Sequence, residues 1–331
     1  MDWQETTQEL LEFKNNTTSL HELSQLSLDT LYGSMWGLNI RFMYLPQALE
    51  KYKQRIIQYS LRRLELMNRE FDSEPNSKWI FRKGVGLGTY GWKYDPQIIQ
   101  HAIEKRIPVI DTAEGYGYGR VEIALGKVFQ EINGLKETQL LTKVRRDHMS
   151  PSAMKKAIQR SQKKLGFPFH IQLHFPNDKY PTAIKNMGQE VLHGNAISVG
   201  IGNCSLDMLL MAQLMLSRIG LKIRFLQMQY NLQDRRIESV LLPYCQKHKI
   251  CVLAYSPFGQ NFKKFNHPIL ENVAHRTDGT ASQVALAWLM SHKGVVPIPR
   301  TNSLEHAKQN TNARHMRLTS EYIEEIEEEY E

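Results

Sequence analysis

The sequence predicts an α/β chain: βα units amounting to a (β/α)8 TIM barrel over residues 77–331, behind a mostly helical N-terminal extension, residues 1–76. Three observations predict it. From Gly84 onward, short apolar runs alternate with amphipathic stretches of helical length. The runs are apolar at nearly every position, as strands covered on both faces require. Eight such units in about 250 residues match the size of a closed eight-stranded barrel. A doubly wound parallel sheet is built from the same alternation, so the pattern alone leaves both architectures open.

Residues 1–70 read as helical. Leu10, Leu11, Phe13, Leu20 and Leu23 recur at mixed helical spacing, and Ile56, Ile57, Leu61, Leu64 and Met67 form one stripe among Arg and Lys. Asp72-Ser73-Glu74-Pro75-Asn76-Ser77 is a polar breaker and reads as a linker. The apolar runs follow: Val85–Thr89, Pro108–Ala113, Gln139–Val144, His170–Phe175, Ile197–Asn203, Phe225–Asn231, Cys251–Pro257 and Val295–Arg300. Between them Asp95–Glu104, Val121–Phe129, Pro151–Leu165, Asp207–Ser217 and Ile237–Lys247 read as helices. Ser150 is an N-cap before a first-turn proline, and Thr280-Ala-Ser-Gln283 is a capping box opening an apolar helix to Met290.

Composition narrows the function classes. Hydrophobic residues at 41% and charged residues at 23% exclude a disordered or fibrous chain. Leu31–Pro46 carries Arg41 and is too short to span a bilayer. No basic and apolar leader opens the chain, and Cys204, Cys245 and Cys251 form no CxxC pair, so a cytoplasmic protein with buried thiols is expected. Residues 1–78 hold nine Lys/Arg and eleven Asp/Glu, so the net +8 comes from the remainder. No basic run with interleaved aromatics marks a nucleic-acid site, and the excess suits a phosphorylated small ligand.

In a barrel the chemistry sits at the C-terminal strand ends. Those ends supply Asp111, Lys143, His174, Asn203, Gln227, Tyr255, Ser256 and Arg300, with Tyr116 in the loop after the second run. A phenol titrates near ~10 and is a poor acid at neutral pH unless a neighbouring ammonium lowers that value. A carboxylate holds such an ammonium charged, and a neutral imidazole can orient a carbonyl. Taken singly, each residue has a plainer reading: Asp111 an N-cap, Lys143 a solvated cation, His174 a core histidine.

Together they carry a resemblance. Asp111-Thr-Ala-Glu-Gly-Tyr116-Gly, Leu141-Thr-Lys143-Val144 and Ile171-Gln-Leu-His174-Phe-Pro176 resemble the catalytic segments of the aldo-keto reductase superfamily. Gly86-Leu-Gly-Thr89, Ser198-Val-Gly-Ile-Gly-Asn203, Gln229-Tyr-Asn-Leu232, Leu253-Ala-Tyr-Ser-Pro257 and Val296-Pro-Ile-Pro299 resemble its other signature segments, in the same order. The resemblance implies a (β/α)8 barrel using NADPH, which favours the barrel over the doubly wound sheet. It assigns Tyr116 as proton donor, Lys143 as its pKa-lowering partner, Asp111 as the partner of that lysine and His174 as the carbonyl orienter. Asn203 and Gln227 correspond to the pair holding the nicotinamide carboxamide, and Tyr255 to the ring stacked on it. Pro299, Arg300 and Thr301, then His306, Gln309 and Asn310, correspond to the 2′-phosphate site. Gly88, Thr89, Ser256 and Phe258 join the cofactor contacts, and Trp92, with Tyr116 and His174, the substrate site.

The chain departs from the family in places. Gly202 stands where a serine is usual, and His306 where an arginine is usual. Trp79–Phe81 leaves little room for the family's N-terminal hairpin, and residues 1–76 are a candidate surface for a protein partner. The expected function is reduction of an aldehyde or ketone to an alcohol, or the reverse. The alternatives are a cofactor-binding regulatory subunit on the same barrel and a biosynthetic dehydratase or isomerase without net redox. Gly86-Leu-Gly-Thr-Tyr-Gly91 spells GxGxxG, but residues 92–96 separate it from the next helix. His170 and His174 lie on a strand bracketed by prolines, so no metal site is expected.

Overall fold

The computed structural model describes residues 78–259 and 267–330. The extension, residues 1–76, lies outside the described residues, as does 260–266 of the loop after the seventh run. The first half of the barrel runs β1 (Leu87–Gly88), α1 (Pro96–Glu104), β2 (Val109–Asp111), α2 (Arg120–Glu131), β3 (Gln139–Val144), α3 (Pro151–Leu165), β4 (His170–Leu173) and α4 (Tyr180–Leu192). The second runs β5 (Val199–Gly202), α5 (Leu206–Ser217), β6 (Ile223–Gln229), α6 (Leu241–Lys247), β7 (Cys251–Tyr255), α7 (Pro268–Arg276), α8 (Ala281–Ser291) and β8 (Val295–Pro297). Helices α9 (Leu304–Asn312) and α10 (Ser320–Glu329) complete it.

All eight strands are parallel and pair in chain order. The sheet closes on itself: Gly86 N–H donates to Pro297 O (2.8 Å) and Gly88 N–H to Pro299 O (2.9 Å). Closure settles the choice between barrel and open sheet. Gly86 permits this seam, because a Cβ there would stand 2.9 Å from both Val109 O and the Ile298 methyl.

Local chemistry sets the helix starts. Asp95, Ser150, Ser205, Thr280 and Thr319 each accept a backbone N–H of the following turn, and Thr280 with Gln283 forms the full capping box. One predicted helix is corrected. The stretch read as continuous over Ile237–Lys247 is a 3-10 turn at Arg236–Ser239, then α6 from Leu241. Pro243 is the reason: it lacks an N–H and its ring would strike the carbonyl four residues earlier, so the α-helix starts just before it.

Side-chain alternation along the strands layers the lumen. Val109, Leu141, Phe225, Cys251, Leu253, Val296 and Ile298 pack with Phe81 as an apolar cluster, on which Trp79 and Ile80 also rest. Trp79–Phe81 thus takes part in the barrel core, held where Gln139 Nε2 donates to Ile80 O (2.7 Å). Two residues further along β2, β3 and β6 the positions turn polar, at Asp111, Lys143 and Gln227, and Gln172 on β4 joins them; all four are buried. All three cysteines are free and buried.

Candidate active site

The polar layer stands at the C-terminal end of the sheet. Asp111 ends β2 and Lys143 is the penultimate residue of β3. Lys143 Nζ lies 2.6 Å from Asp111 Oδ1 and 2.8 Å from Oδ2, and also donates to Thr112 O at 2.9 Å. Its remaining reach is toward Tyr116 OH, at 3.1 Å. A lysine this deeply buried keeps its charge only because it is paired. Desolvation works against its charge, but Asp111 and then Tyr116 outweigh it and hold the ammonium above its ordinary range.

Tyr116 reaches the lysine because the chain turns sharply after it. Gly117 and Tyr118 both take left-handed conformations, φ 55° and 58°. A Cβ at Gly117 would stand 2.8 Å from the Tyr94 hydroxyl. Two influences act on the tyrosine, and Lys143 lowers its value as expected. Burial pushes its phenol above the ordinary value, and the charge of Lys143 offsets only part of that rise. The Tyr116 ring is therefore protonated across the neutral range, as a proton donor requires.

His174, just beyond β4, presents its ring edge-on to Tyr116 with centroids 6.0 Å apart. Burial, and then the Lys143 charge, lower its pKa to about 3, so the imidazole is neutral. His170, four residues earlier, is joined to Ser198 Oγ (2.8 Å) and to Gln139, and packs edge-on against Phe81. The two histidines serve different layers of the barrel.

Beside this group stand the amides. Gln227 Nε2 donates to Asp111 Oδ1 (2.9 Å), and Gln227 Oε1 accepts from Gln172 Nε2 (3.1 Å). Asn203 holds a left-handed φ of 53°, donates to His174 O (3.1 Å) and accepts from Tyr255 OH (2.7 Å). Each of the two amides still has one N–H to offer. Tyr255 is half-buried and borders a cleft of about 300 Å³ with Asn203, Met228, Gln229, Asp234 and Arg236. Ser256 follows at φ 49°, its carbonyl accepting from Asn231 Nδ2 (2.9 Å).

Beyond β8, Pro299 is buried and Arg300 is exposed, with no side-chain partner among the described residues. Thr301 Oγ1 accepts Ser303 N–H (3.0 Å) and so shapes the entry to α9. His306 is exposed on its first turn, Gln309 donates to Glu305 (3.2 Å), and Asn310 is buried on its inner side. Gly88, Thr89 and Asp111 lie together, with Thr89 N–H and Oγ1 both donating to Asp111 O. Phe258 packs against the apolar cluster of Val85, Leu286, Met290 and Ala313, which draws its ring toward the core.

Three neighbours of the site escaped the sequence reading. Tyr90, 68% exposed, meets Tyr116 edge-on at 5.3 Å, whereas Trp92 is 5% exposed and packs on Tyr94. Phe175, half exposed, stacks on His174 at 4.6 Å. Glu114 accepts Arg145 N–H (2.8 Å) and contacts His148 (2.8 Å) and Arg160 (3.3 Å), anchoring the Tyr116 loop to the loop after β3. Tyr90 could have been found from its place directly after the strand-end Gly88-Thr89. The other two carried no signal of their own.

The barrel is similar to known proteins. The model of the aldo/keto reductase family matches residues 84–331. Methylglyoxal reductase YeaE of Escherichia coli (strain K12) is 28% identical over 261 residues, covering 74% of this chain and 90% of that protein. The structure of an aldo/keto reductase from Klebsiella pneumoniae in complex with NADP and acetate superposes with a TM-score of 0.68 at 27% identity, over 75% of this chain and 91% of that one. A structure from the same organism in complex with NADPH gives 0.67 at 27% identity, over 75% and 90%.

Proposed function

Because the chain belongs to the aldo/keto reductase family, we propose that it is an NADPH-dependent carbonyl reductase, working on an aldehyde or ketone or running the reverse alcohol oxidation. The observation that carries this reading is the Lys143 ammonium, buried and bound at once to Asp111 and to the Tyr116 hydroxyl, beside a neutral His174.

The residues present fit the cofactor. The spare N–H groups of Asn203 and Gln227 suit the carboxamide, and the Tyr255 ring suits the face of a nicotinamide. Arg300, without a side-chain partner among the described residues, suits a 2′-phosphate at the entry to α9. When bound, NADPH supplies the hydride. The chain does the rest. His174, neutral, donates its one ring N–H to the carbonyl oxygen and fixes its direction. Tyr116 OH gives its proton to that oxygen as the carbon is reduced, so the product is the alcohol. Lys143 stabilises the phenolate left behind, and Asp111 keeps the ammonium charged. Tyr90 and Phe175 wall the approach with aromatic faces.

NADPH oxidation measured with a panel of aldehydes and ketones, methylglyoxal among them, tests the reading. One alcohol is expected per NADPH consumed. Since Tyr116 must hold its proton, reduction stays level across neutral pH and falls only as the phenol ionises on the alkaline side. The reverse oxidation climbs over the same interval. No cofactor consumption with any carbonyl would contradict the proposal, and product formed without net oxidation would point to an isomerase or dehydratase.

A further inference from the structure

We infer that Gln172, on β4, is a positioning residue of the catalytic centre: its amide N–H locks Gln227 in the orientation that donates to Asp111. The inference rests on Tyr116 acting as the acid above. Four contacts in series join the residues. Gln172 Nε2 donates to Gln227 Oε1 (3.1 Å), Gln227 Nε2 to Asp111 Oδ1 (2.9 Å), Asp111 Oδ1 binds Lys143 Nζ (2.6 Å), and Lys143 Nζ meets Tyr116 OH (3.1 Å).

The chemistry fixes the direction of each bond. A carboxylate only accepts, so Gln227 must turn its NH₂ to Asp111. Its carbonyl then faces β4, where it needs a donor. Gln172 is that donor, and it is fully buried. Its own Oε1 is left buried without a partner among the described residues. A methionine or leucine would fill the same space and strand no oxygen. An amide kept there in spite of its orphaned carbonyl is kept for its N–H.

Gly202 points to the same conclusion independently. A Cβ at this position would lie 2.5 Å from Gln172 Nε2 and 3.1 Å from His174 O. A side chain at 202 would therefore have to displace the Gln172 amide, which fills the space beside this glycine. Register supports the pairing: Gln172 lies opposite Lys143, and Gly202 opposite Gln227.

Gln172→Met tests this, since it keeps length and volume and removes the N–H. Asp111 then loses a donor through the freed Gln227, and its charge bears more heavily on Tyr116. The expected result is a kcat about tenfold lower, with the alkaline limb of the reduction profile moved up by about half a pH unit. NADPH affinity, read by fluorescence titration, stays within about threefold. The ring-carbon NMR signal of labelled Tyr116, assigned by its loss in Tyr116→Phe, is expected to shift in Gln172→Met without any turnover being measured. Gly202→Ala, whose added methyl displaces the Gln172 amide, reproduces both shifts, and Gln172→Leu combined with Gly202→Ala removes the clash and loses no more than Gln172→Met alone. An unmoved Tyr116 signal and an unmoved limb in Gln172→Met would overturn the inference. Absent turnover in the unaltered chain would instead overturn the reductase reading, because the NMR signal reports on the relay either way.

Discussion

Tyr116 is held between two opposing influences. Burial favours the neutral phenol, and the Lys143 charge favours the phenolate, with burial the larger. The lysine alone suggests a lowered value, because desolvation depends on how much protein covers the ring and leaves no trace in a motif. The same limit hid Gln172, Glu114 and Phe175. Their roles come from what stands opposite them, whereas Asp111, Lys143 and His174 were legible because strand-end position already implies convergence. Arg300, read from the sequence as a 2′-phosphate contact, has no side-chain partner among the described residues, which allows a clean test. Arg300→Ala should weaken NADPH binding by about ten- to a hundredfold, the loss of charge-assisted hydrogen bonds, while NADH binding changes little. Fluorescence titration with both cofactors checks this, and equal losses would remove the 2′-phosphate role.

At the scale of elements, capping residues and apolar runs located most helices and strands well. Ser150 and Thr280 cap where their neighbours suggested. The Ile237–Lys247 reading failed because apolar spacing outweighed Pro243, a local veto that periodicity does not register. Packing between helices was the least legible. Gly126, in the middle of α2, looks like a poor helix residue, yet a Cβ there would lie 1.9 Å from Lys164 O at the end of α3. That oxygen is backbone and cannot swing aside, so the two helices would have to separate. The same pair is tied by Lys164 Nζ to Glu122 Oε2 (3.2 Å), whose other oxygen accepts from Thr142 (2.8 Å). Gly126→Ala, which favours helix by about 1 kcal/mol in isolation, should therefore destabilise the barrel by about 1–3 kcal/mol through overpacking. A lower urea midpoint is the expected reading; an equal or higher one would show that α2 and α3 can part freely.

Over the whole molecule, the number of βα units anticipated the barrel, but closure required the β1–β8 seam, which alternation alone could not distinguish from an open sheet. Closure also explains why the site forms. Parallel strands bring all their C-terminal ends to one mouth, and side-chain alternation places an apolar layer below a polar one, so a carboxylate, an ammonium, a phenol and an imidazole meet from four different segments. The Trp79–Phe81 segment, read from the sequence as leaving little room for a hairpin, joins the apolar layer. The central claim is that this assembly donates a proton from Tyr116 to a carbonyl. Its most direct test is Tyr116→Phe, which keeps the ring and removes the hydroxyl, with kcat for carbonyl reduction and NADPH affinity measured on the same preparation. In Tyr116→Phe kcat is expected to fall by about 10²–10⁴-fold, the usual contribution of a positioned acid, while NADPH affinity is nearly retained. Turnover undiminished in Tyr116→Phe would contradict it.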